Sequence, residues 1–401
     1  QPGGDDDPMG KYMPWKTDDP YVIQLNREDP TVDLWNQRRD TSGEPEREPG
    51  PMDVQRYSFG WNWQMFPTFF GRPMAFTADD LRAGDVDVAI VGSTTDNNFV
   101  RGTSNAANRL RAAMAYTWMW TAKGSGKQTR TRDGNQNQYT RTYYNELNIV
   151  DYGNINAHQF NIDKSAEEIY KVLAEIMDAD VLPMMVGGSH DNMYGVFLAA
   201  ARKYGPKNFG IIHFDSHVDM KKIGFGHWNH NANGMYWVLE NGLVDGKDVV
   251  QVGLTQHAPD DDDLKFMAGH GVRYHLQPEI ERDGWETVMK RAIDDLKDVE
   301  NLVITVDIDI MPGAFVPGTG AREPDGPTPA QMNQAMRALA ISKNVVAVDI
   351  CEYNPTLDDK SENTAVVVEW MMRHFLAGLA AQKRGITDPF YYHPDSVDDG
   401  R

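Results

Sequence analysis

Asp215, His217 and Asp219 stand two residues apart in the stretch FDSHVD, directly after the apolar run at 209–213. If that run is a buried strand, the three side chains occupy i, i+2 and i+4 and leave its carboxyl end on one side. Two carboxylates and an imidazole held so close repel and desolvate one another unless positive charge lies between them, and a metal ion supplies it. Asp307 and Asp309 repeat the spacing after the run at 301–306, and His190 follows the run at 181–186 through Gly187, Gly188 and Ser189. The sum is four carboxylates and two imidazoles, too much negative charge for one divalent ion and about right for two. Oxygen donors mixed with a few nitrogens and no thiolate favour manganese, nickel, cobalt or iron over a structural zinc. A single D-x-H or D-x-D arises by chance, whereas three such sets at strand ends make a strong signal.

Strand ends meet on one edge when the strands run parallel, which requires helices between them. Apolar runs at 85–92, 147–152, 181–186, 209–213, 249–253, 301–306 and 344–350 read as those strands. Ser165 and Glu168 form a capping box opening a helix whose apolar stripe is Ile169, Val172, Leu173, Ile176 and Met177. A short helix is expected at 236–240, an amphipathic one at 285–297, a boxed start at Thr328-Pro329-Ala330-Gln331 and a closing helix at 364–381. The fold class is therefore α/β, a central parallel sheet with helices on both faces. The acidic run Asp260 to Asp263 reads as a solvated loop rather than a metal site, because consecutive acids face different directions.

Residues 1–75 read as an extended arm, rich in Pro, Gly, Asp and Arg, that wraps a neighbour or lies over the domain. It ends in an aromatic cluster (Trp61, Trp63, Phe66, Phe69, Phe70) that covers a core or subunit interface, with a lid over the site as the functional alternative. Residues 76–385 read as the domain that carries the ligand set and 386–401 as a tail. The 401 residues carry a net charge of −20, which argues against nucleic-acid and anionic-membrane partners and suits small cations. The one cysteine, Cys351, rules out an intrachain disulfide and reads as a small buried residue. No apolar run reaches the roughly 18 residues that span a bilayer. The first 30 residues hold no signal-peptide core, so the expectation is a cytoplasmic protein.

His190 in GGSHD, FDSHVD at 214–219, TVDIDIMPGAFVPGTG at 305–320 and DICEYNP at 349–355, in this order, resemble the ureohydrolase superfamily of arginase, agmatinase, guanidinobutyrase and guanidine hydrolase. The stretch at 91–111 resembles that family's first strand and loop, and the likeness runs from about residue 85 to about 380. It implies an arginase-like three-layer α/β/α fold, two divalent ions per chain, Mn2+ or Ni2+, and a homo-oligomer, trimer or hexamer. It places one ion on His190, Asp215, Asp219 and Asp307 and the other on Asp215, His217, Asp307 and Asp309, so that Asp215 and Asp307 bridge. Two cations a few ångströms apart lower the pKa of a shared water and give hydroxide at neutral pH. Asp219 then accepts a hydrogen bond from that hydroxide and passes its proton to the leaving nitrogen.

Glu352 follows a strand at the same edge, where a carboxylate suits a planar guanidinium through paired charge-assisted bonds. His230 matches the family's proton-shuttling position, with His227 as competitor, and His230 and Trp228 join Glu352 as expected substrate-binding residues. His213 is read as structural and turned away from the ligand set. The family's Asp-x-Asp is usually followed by Asp-Pro, where this chain has Pro312 and Gly313; with all six ligands present, that reads as a changed loop support. The sequence after Gly253 lacks an arginase-like recognition pattern, which disfavours L-arginine. Trp228, Trp237 and the aromatics at 61–70 would shrink or line the pocket, and the long aromatic-rich extension resembles the guanidine hydrolase branch.

The expected reaction is hydrolysis of guanidine, or of a small N-substituted guanidine, to urea or a substituted urea plus ammonia or an amine. Biguanides such as metformin, guanidino acids and agmatine are the alternative substrates. The alternative of another class is a non-catalytic subunit of a hetero-oligomer. A one-metal deacylase on a related fold would leave His190 and Asp309 without a role.

Overall fold

Seven of the apolar runs become strands within three residues of their expected bounds. The computed structural model describes residues 7–13, 47–55, 66–97, 100–118, 147–157, 161–224, 226–255 and 259–391. In chain order the strands are β1 (Val88–Ser93), β2 (Ile149–Ile155), β3 (Leu182–Val186), β4 (Gly210–Phe214), β5 (Val249–Leu254), β6 (Arg273–Leu276), β7 (Asn301–Asp307) and β8 (Asn344–Cys351). They pair parallel throughout in the order β2-β1-β3-β8-β7-β4-β5-β6. The central strands are buried on both faces, which is why they read as unbroken apolar runs. β6 is the strand the sequence does not announce: it lies at the sheet's edge with Arg273 and Tyr274 exposed, so it needs no such run.

Alternation along each strand feeds two cores. Helices α1 (Ile162–Asp178) and α2 (Met193–Tyr204) pack with Ala89, Val91 and Ile211 on one face. Helices α3 (Trp285–Asp295), α4 (Pro329–Ser342) and α5 (Asn363–Lys383), together with 106–114, pack with Val88, Ile90, Ile212 and Phe214 on the other. This is the expected three-layer arrangement. The Thr328 box forms with Gln331, Pro329 taking the first helical position. The expected start at Ser165 is corrected by one turn: Asn161 caps α1, its side chain accepting from the Lys164 amide at 2.9 Å. The acidic run is corrected too. Asp260 caps a helix at 261–270, accepting from the amides of Asp262 and Asp263, because clustered carboxylates favour a helix N-terminus.

In the described part of the N-terminal stretch, Met9 and Met13 are buried in the core, and the Tyr170 hydroxyl donates to Asp7. Phe69 and Phe70 are buried core residues and Phe66 is exposed, while Trp61 and Trp63 fall outside the described residues. Arg111 lies over the Phe69 ring at 4.0 Å and grips the buried Asp151 through Nε (2.7 Å) and Nη2 (2.8 Å). Removing one partner of such a pair strands the other charge, so Arg111→Ala is expected to lower unfolding free energy by about 3–5 kcal/mol in urea titrations. Among the described residues no helix is long and apolar enough to cross a membrane.

Candidate metal centre

Strand register builds the site. Phe214 pairs with Val306, Asp307 with Cys351 and Val186 with Ile350, so the segments that follow β4, β7, β8 and β3 emerge side by side. The side chains converge by turns beyond the strand ends rather than by strand alternation, which corrects the expected geometry. β4 ends at Phe214, and Asp215 Oδ1 accepts from the His217 amide at 2.7 Å. Asp307 Oδ1 accepts from the Asp309 amide at 2.9 Å in a short 3-10 turn. Asp219 adopts φ +50°, a left-handed conformation that aspartate tolerates better than most residues.

His190 Nδ1 then lies 3.2 Å from Asp215 Oδ2, 3.0 Å from Asp219 Oδ2 and 3.5 Å from Asp307 Oδ2. His217 Nδ1 lies 3.3 Å from Asp215 Oδ1 and 3.2 Å from Asp309 Oδ2. All six expected ligands therefore meet, and Asp215 stands between the two imidazoles with one oxygen toward each. Among the described residues two groups of donor atoms that share Asp215 lie within 4.8 Å, His190, His213, Asp215 and Asp219, and Asp215, His217 and Asp309, while a third joins His190 to Asp349 and Cys351. His190 Nδ1 and Asp215 Oδ2 are buried and lack a hydrogen-bond partner. Buried polar atoms facing one another without a hydrogen bond are what a cation between them would satisfy, so the donor set fits divalent metal ions.

The charges agree. Burial pushes the carboxyl of Asp309 up to about 6, with the charge of Asp215 adding to it. Burial also raises Asp219, again helped by Asp215, and raises Asp307 well above the carboxylate range, helped by Asp309, Asp215 and Glu352. At His217 burial opposes the charged ring, yet Asp309 and Asp215 overcome it and hold the proton far above the usual range. Four carboxylates here ionise together only if positive charge joins them.

Glu352 is buried, not a surface acid. Its Oε1 accepts from the His190 amide at 2.6 Å, and its own amide donates to Gly188 O at 2.8 Å. This reciprocal clamp holds it at φ +67°, a strained conformation of the kind that persists at functional sites. His213 is corrected: its Nε2 lies 3.0 Å from Asp215 Oδ2, because residues two apart at the end of one strand share a side. His230 is buried in the loop after Asp219, its Nδ1 accepting from the Ala232 amide at 3.4 Å, and burial lowers its pKa with His227 adding to the effect. The backbone of His227 pairs with Gly224 in both directions at 2.9 Å.

Trp228 is corrected to a core residue. It is 1% exposed, packs edge-on against Tyr194 and Trp237, and its indole N–H donates to Asp163. Burial raises that carboxyl to about 7, with the indole bond opposing. A folded-state pKa above the unfolded value of about 3.9 stabilises the fold fully below that value. The contribution is lost as pH rises through about 7. Asp163→Asn keeps an acceptor for the indole and is expected to flatten this fall, raising the melting temperature at pH 8 relative to wild type in pH-dependent thermal scans.

The Pro312–Gly313 loop is supported through its backbone, with the Gly313 amide donating to Glu323 O at 2.8 Å. Glu323, which sequence reasoning does not single out, also places its carboxylate 4.0 Å from His217 Nε2. Thr305 and Asp349 are likewise missed. The signal was available: each is a polar residue inside an otherwise apolar strand.

A model of the arginase family matches residues 86–378. Human mitochondrial guanidino acid hydrolase is 28% identical over 242 residues, 59% of this chain and 66% of the relative, so the chain spans about two thirds of its length. A solved structure of a hypothetical agmatinase from Burkholderia thailandensis superposes with a TM-score of 0.69 at 24% identity, covering 85% of this chain and 99% of that one. Trypanosoma cruzi formiminoglutamase, solved with Mn2+2, gives 0.63 at 19% identity over 74% and 95% of the two chains. The two structural likenesses speak to fold alone. The family match is broader in what it shows, since its span holds the whole ligand cluster and Glu352, and on it the chain belongs to the arginase family.

Proposed function

We propose that the protein hydrolyses a C–N bond of guanidine or a small N-substituted guanidine, releasing urea or a substituted urea with ammonia or an amine. One observation carries the reading: a buried carboxylate, Glu352, bonded to the backbone of His190 beside a cluster fit for two divalent ions. When bound, such ions supply the Lewis-acid charge that makes water acidic at neutral pH. The rest is the work of the chain's own residues. Glu352 offers a planar guanidinium two acceptor oxygens and holds it against the cluster. Asp219, whose affinity for a proton is raised by burial and by Asp215, suits a group that takes up a proton and gives it to the leaving nitrogen. His230, held neutral by burial, is the proton carrier between the site and solvent.

The name of the Trypanosoma relative supports manganese, with nickel as the alternative. A homo-oligomer of three or six chains goes with this reading, with a hetero-oligomer as the alternative. Hydrolysis of a guanidino acid is the second reading. It is favoured by the name of the human relative and by the burial of Trp228, which removes one reason for a small pocket. Steady-state assays of manganese- and nickel-loaded protein on guanidine, guanidino acids, agmatine and biguanides separate them. The highest kcat/KM on guanidine supports the first reading, a preference for a guanidino acid moves to the second, and no urea or amine from any of them ends both.

A further inference from the structure

On the side of His190 facing away from the carboxylates, three buried side chains form a line. His190 Nε2 lies 2.9 Å from Thr305 Oγ1, and the Thr305 hydroxyl donates to Asp349 Oδ2 at 3.4 Å. Thr305 and Asp349 are cross-strand partners in the β7–β8 register, and all three residues are fully buried. A hydroxyl has one proton to give. Because that of Thr305 goes to Asp349, its oxygen accepts from His190, and the ring hydrogen sits on Nε2. Nδ1 is left to present its lone pair to the space it shares with Asp215, Asp219 and Asp307.

We infer that Thr305 and Asp349 are positioning residues that fix the tautomer and ring direction of His190, and so set the affinity of one of the two metal sites. The inference rests on the metal-dependent reading above. Partners of this kind typically change metal affinity by about 10- to 100-fold.

Calorimetric titration of metal-free wild type, Thr305→Val, Thr305→Ser and Asp349→Asn with Mn2+ tests it. Wild type is expected to take up two ions per chain. Thr305→Val keeps the shape of the side chain but removes its oxygen, and should weaken one binding step by about 10- to 100-fold while sparing the other. Thr305→Ser should restore wild-type binding. Asp349→Asn, whose amide can donate to Thr305 as well as accept, should fall between. Equal weakening of both steps, no rescue by serine, or valine binding as tightly as wild type overturns the relay but leaves the metal-dependent reading standing. Wild type that binds no manganese overturns that reading instead. If Thr305→Val fails to fold by circular dichroism, unchanged affinity in Asp349→Asn overturns the relay on its own.

Discussion

Asp215→Asn should lower kcat/KM on the best guanidine substrate by on the order of 10⁴-fold, because residues that act as a unit fail as a unit. Asp215 is the carboxylate common to both donor groups, with Oδ1 toward His217 and Oδ2 toward His190 and His213. Asparagine keeps the acceptor that binds the His217 amide, so the turn survives. What it removes is the charge that faces three imidazoles and any cation between them. Bound metal, measured by plasma mass spectrometry, should fall together with activity while the circular dichroism spectrum stays that of wild type. Activity within tenfold of wild type would mean that Asp215 is not shared between two ions.

The second large effect is expected at Glu352. Glu352→Gln retains the oxygen that accepts from the His190 amide, so the backbone clamp and its positive φ stay in place. The variant should keep both ions yet lose about 10²- to 10³-fold in kcat/KM, as expected when a charged hydrogen-bond partner of a cation is neutralised. Metal content separates the two variants, since one loses ions and the other loses substrate. A Glu352→Gln enzyme with unchanged kinetics would remove the carboxylate from substrate binding.

Much of this site is legible in the sequence because metal chemistry restricts residue types. Asp215, His217, Asp219, Asp307, Asp309 and His190 each follow an apolar run, and a parallel sheet leaves such positions on one edge. How they converge is less legible, since the turns at 215–217 and 307–309 depend on carboxylates bonding their own backbone, which spacing alone does not report. His213 stands two residues before Asp215, and alternation puts the two on the same side rather than on opposite ones. Trp228 is not legible as a core residue, because aromatic type says nothing about which end of a loop faces the core. Thr305 and Asp349 show in the sequence as polar residues inside apolar strands, but their pairing across β7 and β8 does not.

The account stands on two cations held among six side chains, and diffraction from crystals of the manganese-loaded protein at the metal's absorption edge tests it most directly. Two anomalous peaks per chain are expected, one beside His190 and Asp219 and one beside His217 and Asp309, with Asp215 contacting both. A single peak, or peaks away from these residues in protein that is active, would contradict it.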